Sequence, residues 1–208
     1  MHWKRREMTI IRFRQGKGTL FKKENKMIKL DFLKFKALSH GMSTDQARYY
    51  LNGIHVIAKD NTLIMEATNG HALMRITDAQ GYMPDVNEII SADTVKMVLK
   101  LFFKTSRIYA DFDRKILDVD GLEYPMVLID GTFPDIDRVI PDNREDKIPN
   151  GFGFDLGYLE DFSKSLRAFG KTKAFAKLVF GDDKSCPLRI EAEHEGMDYL
   201  GALMPTKT

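Results

Sequence analysis

The sequence predicts an α+β fold with antiparallel sheets, and three observations carry the prediction. Short runs rich in β-branched and aromatic residues come in triplets separated by tight-turn residues, the pattern of a meander. Each triplet is preceded by a helix-period segment and one further strand. This βαβββ arrangement occurs three times in 208 residues. The copies share little identity, but repetition of this kind implies similar units stacked together.

The first unit opens with an alternating strand at 27–31 and a short helix at 32–40. Strands at 49–58, 62–67 and 71–76 follow, with Asp60-Asn61 and Asn69-Gly70 as turns, because these residues tolerate left-handed backbone. In the second unit a strand at 88–91 leads to Asp93 as helix N-cap and a helix at 94–105, then strands at 108–112, 115–119 and 123–129. The third follows a charged, proline-containing linker at 143–150. It has a strand at 152–155, a helix at 158–169, and strands at 174–180, 188–192 and 199–203. The expected organisation is a basic arm at 1–26, two units forming one domain at 27–142, the linker, and a half domain at 151–208.

Composition narrows the function classes. Hydrophobic residues make up 43% and charged residues 30%, enough for real cores and unlike a disordered chain. A single cysteine, Cys186, excludes a disulfide framework and makes a reducing cytoplasm the simplest compartment. No apolar run approaches the ~20 residues of a membrane helix. The longest tight cluster, at 98–103, carries Lys100. The basic N-terminus lacks the apolar stretch of a signal peptide. No phosphate-loop, dinucleotide, zinc-protease or nucleophile-elbow motif occurs, and the five histidines have no metal-ligand spacing. Asp118-Val119-Asp120-Gly121 fits a strand-end turn better than a calcium loop. The expectation is no catalysis, no metal and no cofactor.

Charge is unevenly placed. Residues 1–26 hold nine Lys or Arg against two acids, a net +7, which leaves −5 for the rest. Such an arm suits a polyanion, or serves as a solubilising tail. Within it, 9–13 and 19–21 flank Gln15-Gly16-Lys17-Gly18 as a small hairpin, marginal on its own. On the second helix Lys96, Lys100 and Lys104 fall at i, i+4, i+8. On the third, Lys164, Arg167 and Lys171 share a side, with Glu160 and Asp161 expected in the first turn, where the helix dipole favours acids. An amphipathic helix needs a solvated face and lysine often supplies it. Two basic faces at equivalent repeat positions on an acidic body also suit phosphates, read without sequence preference. The first helix contributes only Lys36 and His40.

Three patches resemble one family. Arg48-Tyr49-Tyr50-Leu51-Asn52-Gly53 with Ala67-Thr68-Asn69-Gly70-His71-Ala72-Leu73 resembles the start of the middle domain of the bacterial DNA polymerase III beta subunit, the sliding clamp. The run from Asp130 to Pro141, Asp-Gly-Thr-Phe-Pro-Asp-Ile-Asp-Arg-Val-Ile-Pro, looks like the end of that domain. Ala202-Leu203-Met204-Pro205 is similar to the family's C-terminal tail. The resemblance covers about residues 27–208 in the family's order, as a shortened form. Departures are Asn69 for the usual Asp, Ala72 for Arg, Ile136 for an aromatic, and a polar ending at Thr206-Lys207-Thr208.

The resemblance implies a DNA-clamp fold of three βαβββ units, sheets outside and helices on the inner face of a ring around double-stranded DNA. The basic residues Lys96, Lys100, Lys104, Lys164, Arg167 and Lys171 would then face that DNA. It also implies a groove for polymerase and clamp-loader peptides. Carried over by position, the groove comprises Leu51, Thr68, Gly70, His71, Leu73, Pro134, Arg138, Val139, Ala202, Leu203, Met204 and Pro205. A ring of twelve units would need four copies of a three-unit chain, hence a homo-oligomer. The implied function is a processivity factor. The alternative is a clamp-like module that does not encircle DNA and competes for clamp-binding peptides.

Overall fold

The computed structural model describes residues 27–140, 153–170, 176–181 and 185–206. The basic arm with its expected hairpin, the 143–150 linker and Lys171 lie outside the described residues.

Strand β1 (Ile28–Leu30) leads to α1 (Phe32–Leu38). Asp31 caps this helix, its carboxylate accepting the Leu33 amide at 2.6 Å. The expected strand start at Tyr49 is replaced by a 3-10 turn, Tyr49–Leu51, because the backbone closes locally: Leu51 N–H donates to Arg48 C=O at 2.9 Å. Strands β2 (Gly53–Lys59), β3 (Thr62–Thr68) and β4 (Ala72–Ala79) follow. Asp60 and Asn61 both take positive φ, 49° and 63°, as a tight hairpin requires.

The second unit begins with β5 (Val86–Ser91) and α2 (Ala92–Leu101). Ser91, not Asp93, is the N-cap: its Oγ accepts the Thr94 amide at 3.3 Å, and Asp93 sits in the first turn. The helix stops at Leu101, four residues short of expectation. Phe102 turns extended (φ −119°, ψ 174°) and sets its ring edge-on to Tyr124 at 5.0 Å. Strands β6 (Ile108–Asp111), β7 (Ile116–Val119) and β8 (Leu122–Pro125) form a meander. The expected strand at 123–129 splits at Met126-Val127, where Val127 N–H turns to Thr94 Oγ1 at 2.9 Å. Its second part, β9 (Leu128–Ile129), crosses to the other sheet.

In the third unit residues 153–155 form no strand, against expectation. Asp155 caps α3 (Leu156–Ala168), accepting the Gly157 amide at 2.7 Å. Glu160 and Asp161 therefore lie beyond the first turn. Strands β10 (Lys177–Val179), β11 (Leu188–His194) and β12 (Met197–Leu203) complete the unit.

These strands make two sheets, in the orders β1-β6-β7-β8 and β10-β11-β12-β4-β3-β2-β5-β9, with every pair antiparallel. The first strand of each of the first two units crosses to the other's sheet: β1 pairs with β6 (Ile28↔Ala110) and β5 with β2 (Gly53↔Ser91). The third unit joins by β12 lying along β4, from Met197↔Asp78 to Leu203↔Ala72. On this frame α1 packs across β3 and β4, α2 against β2 and β5, and α1 touches both other helices. The main core holds Phe35, Leu38, Met65, Met74, Ile90, Val98, Phe162, Leu166 and Tyr199. Burying side chains of this size stabilises by about 1.5–3 kcal/mol each. The Tyr199 hydroxyl donates to Ser165 Oγ at 3.1 Å, and burial holds its pKa well above the usual phenol range. Lys34 is 3% exposed and pairs with Asp78 on β4, so its charge is compensated. Among the described residues no helix is long and apolar enough to cross a membrane.

Candidate functional site

The β4–β12 seam, the Thr68–Ala72 turn, the 3-10 turn at Tyr49–Leu51 and the 133–139 loop meet around a cavity of about 320 Å³. Its floor, Leu51, Leu73, Ile136 and Ala202, belongs to a hydrophobic cluster separate from the main core, which Ile89 and Phe133 complete. Its rim is exposed: His71, Pro134, Val139 and Met204. An apolar trench with a few polar edges is suited to extended peptide side chains.

Nine of the twelve expected groove residues line this cavity: Leu51, Thr68, Gly70, His71, Leu73, Pro134, Val139, Ala202 and Met204. Three do not. Leu203 is fully buried in the main core, because strand alternation turns it away from the face that Ala202 and Met204 share. Arg138 projects into solvent with its guanidinium on Asp135 at 2.9 Å. Pro205 follows Met204 outside the lining. The sequence reading missed Arg48, Tyr50, Ala72, Asp135 and Ile136, which also line the cavity. Arg48 and Leu51 sit three residues apart, and a 3-10 turn places such residues on one side; reading 49–58 as a strand concealed this.

Hydrogen bonds fix the rim. Asn69 Oδ1 accepts the amides of His71 and Ala72, both at 2.9 Å. Thr68 Oγ1 donates to Ala72 C=O at 2.8 Å and accepts from Gly70 N–H at 3.1 Å. Gly70 has φ +91°, and a Cβ there would come within 2.4 Å of Arg48 Nη1. The His71 ring stacks on Tyr158 of α3 at 5.6 Å and 18°. The tail closes the far side: Met204 N–H donates to His71 C=O at 2.9 Å, and Thr206 N–H to Gly153 C=O at 2.8 Å. Arg48 donates to Asp45 at 2.9 Å, and that bond and the Ala47 amide lower the Asp45 pKa.

Behind the 133–139 loop lies a larger, polar cavity of about 640 Å³, sharing Pro134, Asp135 and Ile136 with the groove. A chain of polar groups, buried at His55 and Glu66 and exposed at Asn87 and Asp137, crosses it. His55 Nε2 meets Asn87 Oδ1 at 2.6 Å, His55 Nδ1 meets Glu66 at 2.8 Å, Arg75 Nε donates to Glu66 at 2.7 Å, and Arg75 Nη1 donates to Asp137 at 2.5 Å. His55 also stacks on Phe133 at 4.6 Å. Burial opposes the Arg75 charge, but Glu66 and Asp137 outweigh it and raise its pKa. The chain thus ties the groove's loop wall to β2, β3, β4 and β5.

The expected basic faces are less regular than their spacing. Lys96 and Lys100 are exposed on α2, with Lys96 3.9 Å from Asp93. Lys104 lies beyond the end of α2 and is not on its face. On α3, Arg167 is exposed, while Lys164 meets Glu160 at 3.0 Å and Asp161 at 3.5 Å, which raises its pKa.

A family model described as DNA polymerase III beta subunit, central domain, matches residues 32–135, half of the chain. The chain belongs to the DNA polymerase III beta subunit family. It is 30% identical to the beta sliding clamp of Rickettsia bellii (strain RML369-C) over 115 residues, which are 51% of this chain and 30% of that protein. It is 32% identical to the beta sliding clamp of Pseudomonas aeruginosa over 114 residues, 50% of this chain and 29% of that one. The matched part thus spans about a third of the length of these relatives. The crystal structure of the DNA polymerase sliding clamp from Pseudomonas aeruginosa superposes with a TM-score of 0.68 at 19% identity, covering 88% of this chain and 67% of that one. That of the DNA polymerase III beta chain from Streptococcus pneumoniae gives 0.69 at 16%, covering 88% and 65%. The fold is the α+β clamp fold.

Proposed function

We propose that this protein is a non-catalytic, sliding-clamp-like processivity factor. In this reading the groove takes short peptides of the polymerase and the clamp loader, the exposed lysines of α2 and Arg167 of α3 bind duplex DNA without sequence preference, and the protein acts as a homo-oligomer. The observation that carries it is the groove: side chains from four separate stretches of chain converge on one apolar floor with a polar rim. Met204→Asp places a charge on that rim and should weaken binding of a fluorescent clamp-binding peptide by tenfold or more, about 1.4 kcal/mol. Unchanged affinity would remove the groove from the proposal.

The second reading, a clamp-like module that competes for such peptides without encircling DNA, is favoured by one observation. Lys164 is engaged by two acids and Lys104 is off the helix, so the phosphate-facing charge is thinner than the sequence suggests. Primer extension separates the two. Longer products on adding the protein support the processivity factor, and inhibition of a clamp-dependent polymerase supports the competitor.

A further inference from the structure

Two contacts join the large sheet to the loop that walls the groove, and both begin at one imidazole. His55 on β2 stands directly opposite Glu66 on β3, and Glu66 directly opposite Arg75 on β4. Opposed residues share a sheet face, so the three side chains form one row. The His55 ring lies on Phe133 with centroids 4.6 Å apart and planes 27° apart. Phe133 stands at the near end of the loop and belongs to the apolar cluster under the groove. The second contact runs from His55 through Glu66 and Arg75 to Asp137, towards the loop's far end. Pro134 and Ile136, which wall the groove, lie between these two points.

Both ring nitrogens of His55 meet an oxygen: Nδ1 is 2.8 Å from Glu66 Oε1 and Nε2 is 2.6 Å from Asn87 Oδ1. An imidazolium donates to both, whereas a neutral imidazole has one N–H. Asn87 is exposed and its amide is free to turn, its Nδ2 then donating to the bare ring nitrogen. The hydrogen bonds therefore survive loss of the proton, and what changes is charge. With the proton, His55, Glu66, Arg75 and Asp137 alternate in sign, two cations against two anions. Without it Arg75 alone serves both carboxylates, and its hold on Asp137 weakens. The face of Phe133 also attracts a cation more than a neutral ring. The cavity's remaining charged groups are Lys59 on β2, Asp85 and Glu88 at β5, and Asp135 on the loop. With Glu66 and Asp137 the acids outnumber Lys59 and Arg75, so a positive His55 is compensated there.

We infer that the groove's loop wall is proton-controlled: a second proton on His55 draws the 133–139 loop onto the sheet at Phe133 and at Asp137, and so strengthens docking in the groove. The loop movement follows from the contacts alone, while its effect on peptides rests on the groove reading proposed above.

Nuclear magnetic resonance of the full chain tests the loop directly. Between about pH 5.5 and pH 8, where imidazoles exchange their second proton, the amide shifts of 133–139 should follow the His55 ring carbon with one midpoint. His55→Gln should abolish that response. If His55→Gln fails to fold, the exposed Asp137→Asn should remove the response around residue 137 while the His55 ring still titrates. Loop shifts indifferent to the His55 midpoint, or a response that persists in either folded variant, would overturn the inference. Affinity for a fluorescent clamp-binding peptide should rise about two- to fivefold from the alkaline to the acid end, the scale of one cation–π contact. That rise should shrink in His55→Gln; what remains belongs to His71 on the rim. A peptide that binds at no pH, with the loop still following His55, counts against the groove reading alone. A peptide that binds above a loop indifferent to His55 counts against this inference alone.

Discussion

Gly70 and Arg75 hold the groove in different ways. Gly70 supplies a φ of +91° beneath the Arg48 guanidinium, so a side chain there is strained by the backbone and crowded by its neighbour. Gly70→Ala should lower stability by about 1–2 kcal/mol and weaken peptide binding in the same fluorescence assay. Wild-type behaviour in both would show that the turn adapts. Arg75 joins Glu66 to Asp137, and Glu66 is almost wholly buried. Arg75→Met leaves that carboxylate without its cation, which should cost about 3–5 kcal/mol on the scale of broken buried pairs and loosen the 133–139 loop. A melting curve tests the first expectation and amide exchange at Asp137 the second. At this scale sequence reading reached the groove's chemistry but not all its directions. Leu203 was included with Ala202 and Met204 although strand alternation assigns neighbours to opposite faces. The His55–Glu66–Arg75–Asp137 chain draws on residues 82 positions apart at its extremes, a separation no local pattern reports.

Among the elements, the helices and hairpins were legible and their limits less so. Helical periodicity persists through Phe102 and Phe103, so the pattern alone carries α2 past Leu101. The helix ends where Phe102 finds Tyr124, a partner from β8. The division of 123–129 has the same origin, because Val127 N–H is taken by Thr94 on α2. That hydroxyl therefore couples a helix start to a strand crossover. Thr94→Val keeps the shape and removes the acceptor, and should cost about 0.5–1.5 kcal/mol, the net worth of one such hydrogen bond. Faster exchange at Leu128 and Ile129 would accompany it. Unchanged exchange there would mean that β9 is held by β5 alone. The swap of β1 and β5 between units was not legible either: both read as strands, but which sheet a strand joins is decided by contacts distant in sequence.

Across the whole molecule, the third unit is attached to the first by the β4–β12 seam and by α1 against α3. His40 lies near this second contact. Burial lowers its pKa, Asp161 acts to raise it, and Lys164 and Lys36 to lower it. The neutral ring is favoured in the folded protein, so the unfolded chain binds the proton more readily. Stability should fall as pH drops through about 6.5, the unfolded value, and level off below the folded one. His40→Gln should flatten that part of the melting-temperature profile; an equally steep profile would assign the effect to other groups. For DNA, Lys96→Glu with Lys100→Glu should weaken binding and make its salt dependence shallower by about 2 in log–log slope. An unaltered slope in an equilibrium titration would take the α2 face out of contact with phosphates.

The groove floor is also a joint. Leu73 and Ala202 stand opposite each other across the β4–β12 seam, so any ligand seated on them grips two units at once. Such a ligand is linked by mass action to the closed seam, and at a hundred times its Kd would add about 2.7 kcal/mol to it. Occupancy and mechanical integrity are then linked: a loaded molecule resists being pulled apart at this line more than an empty one does.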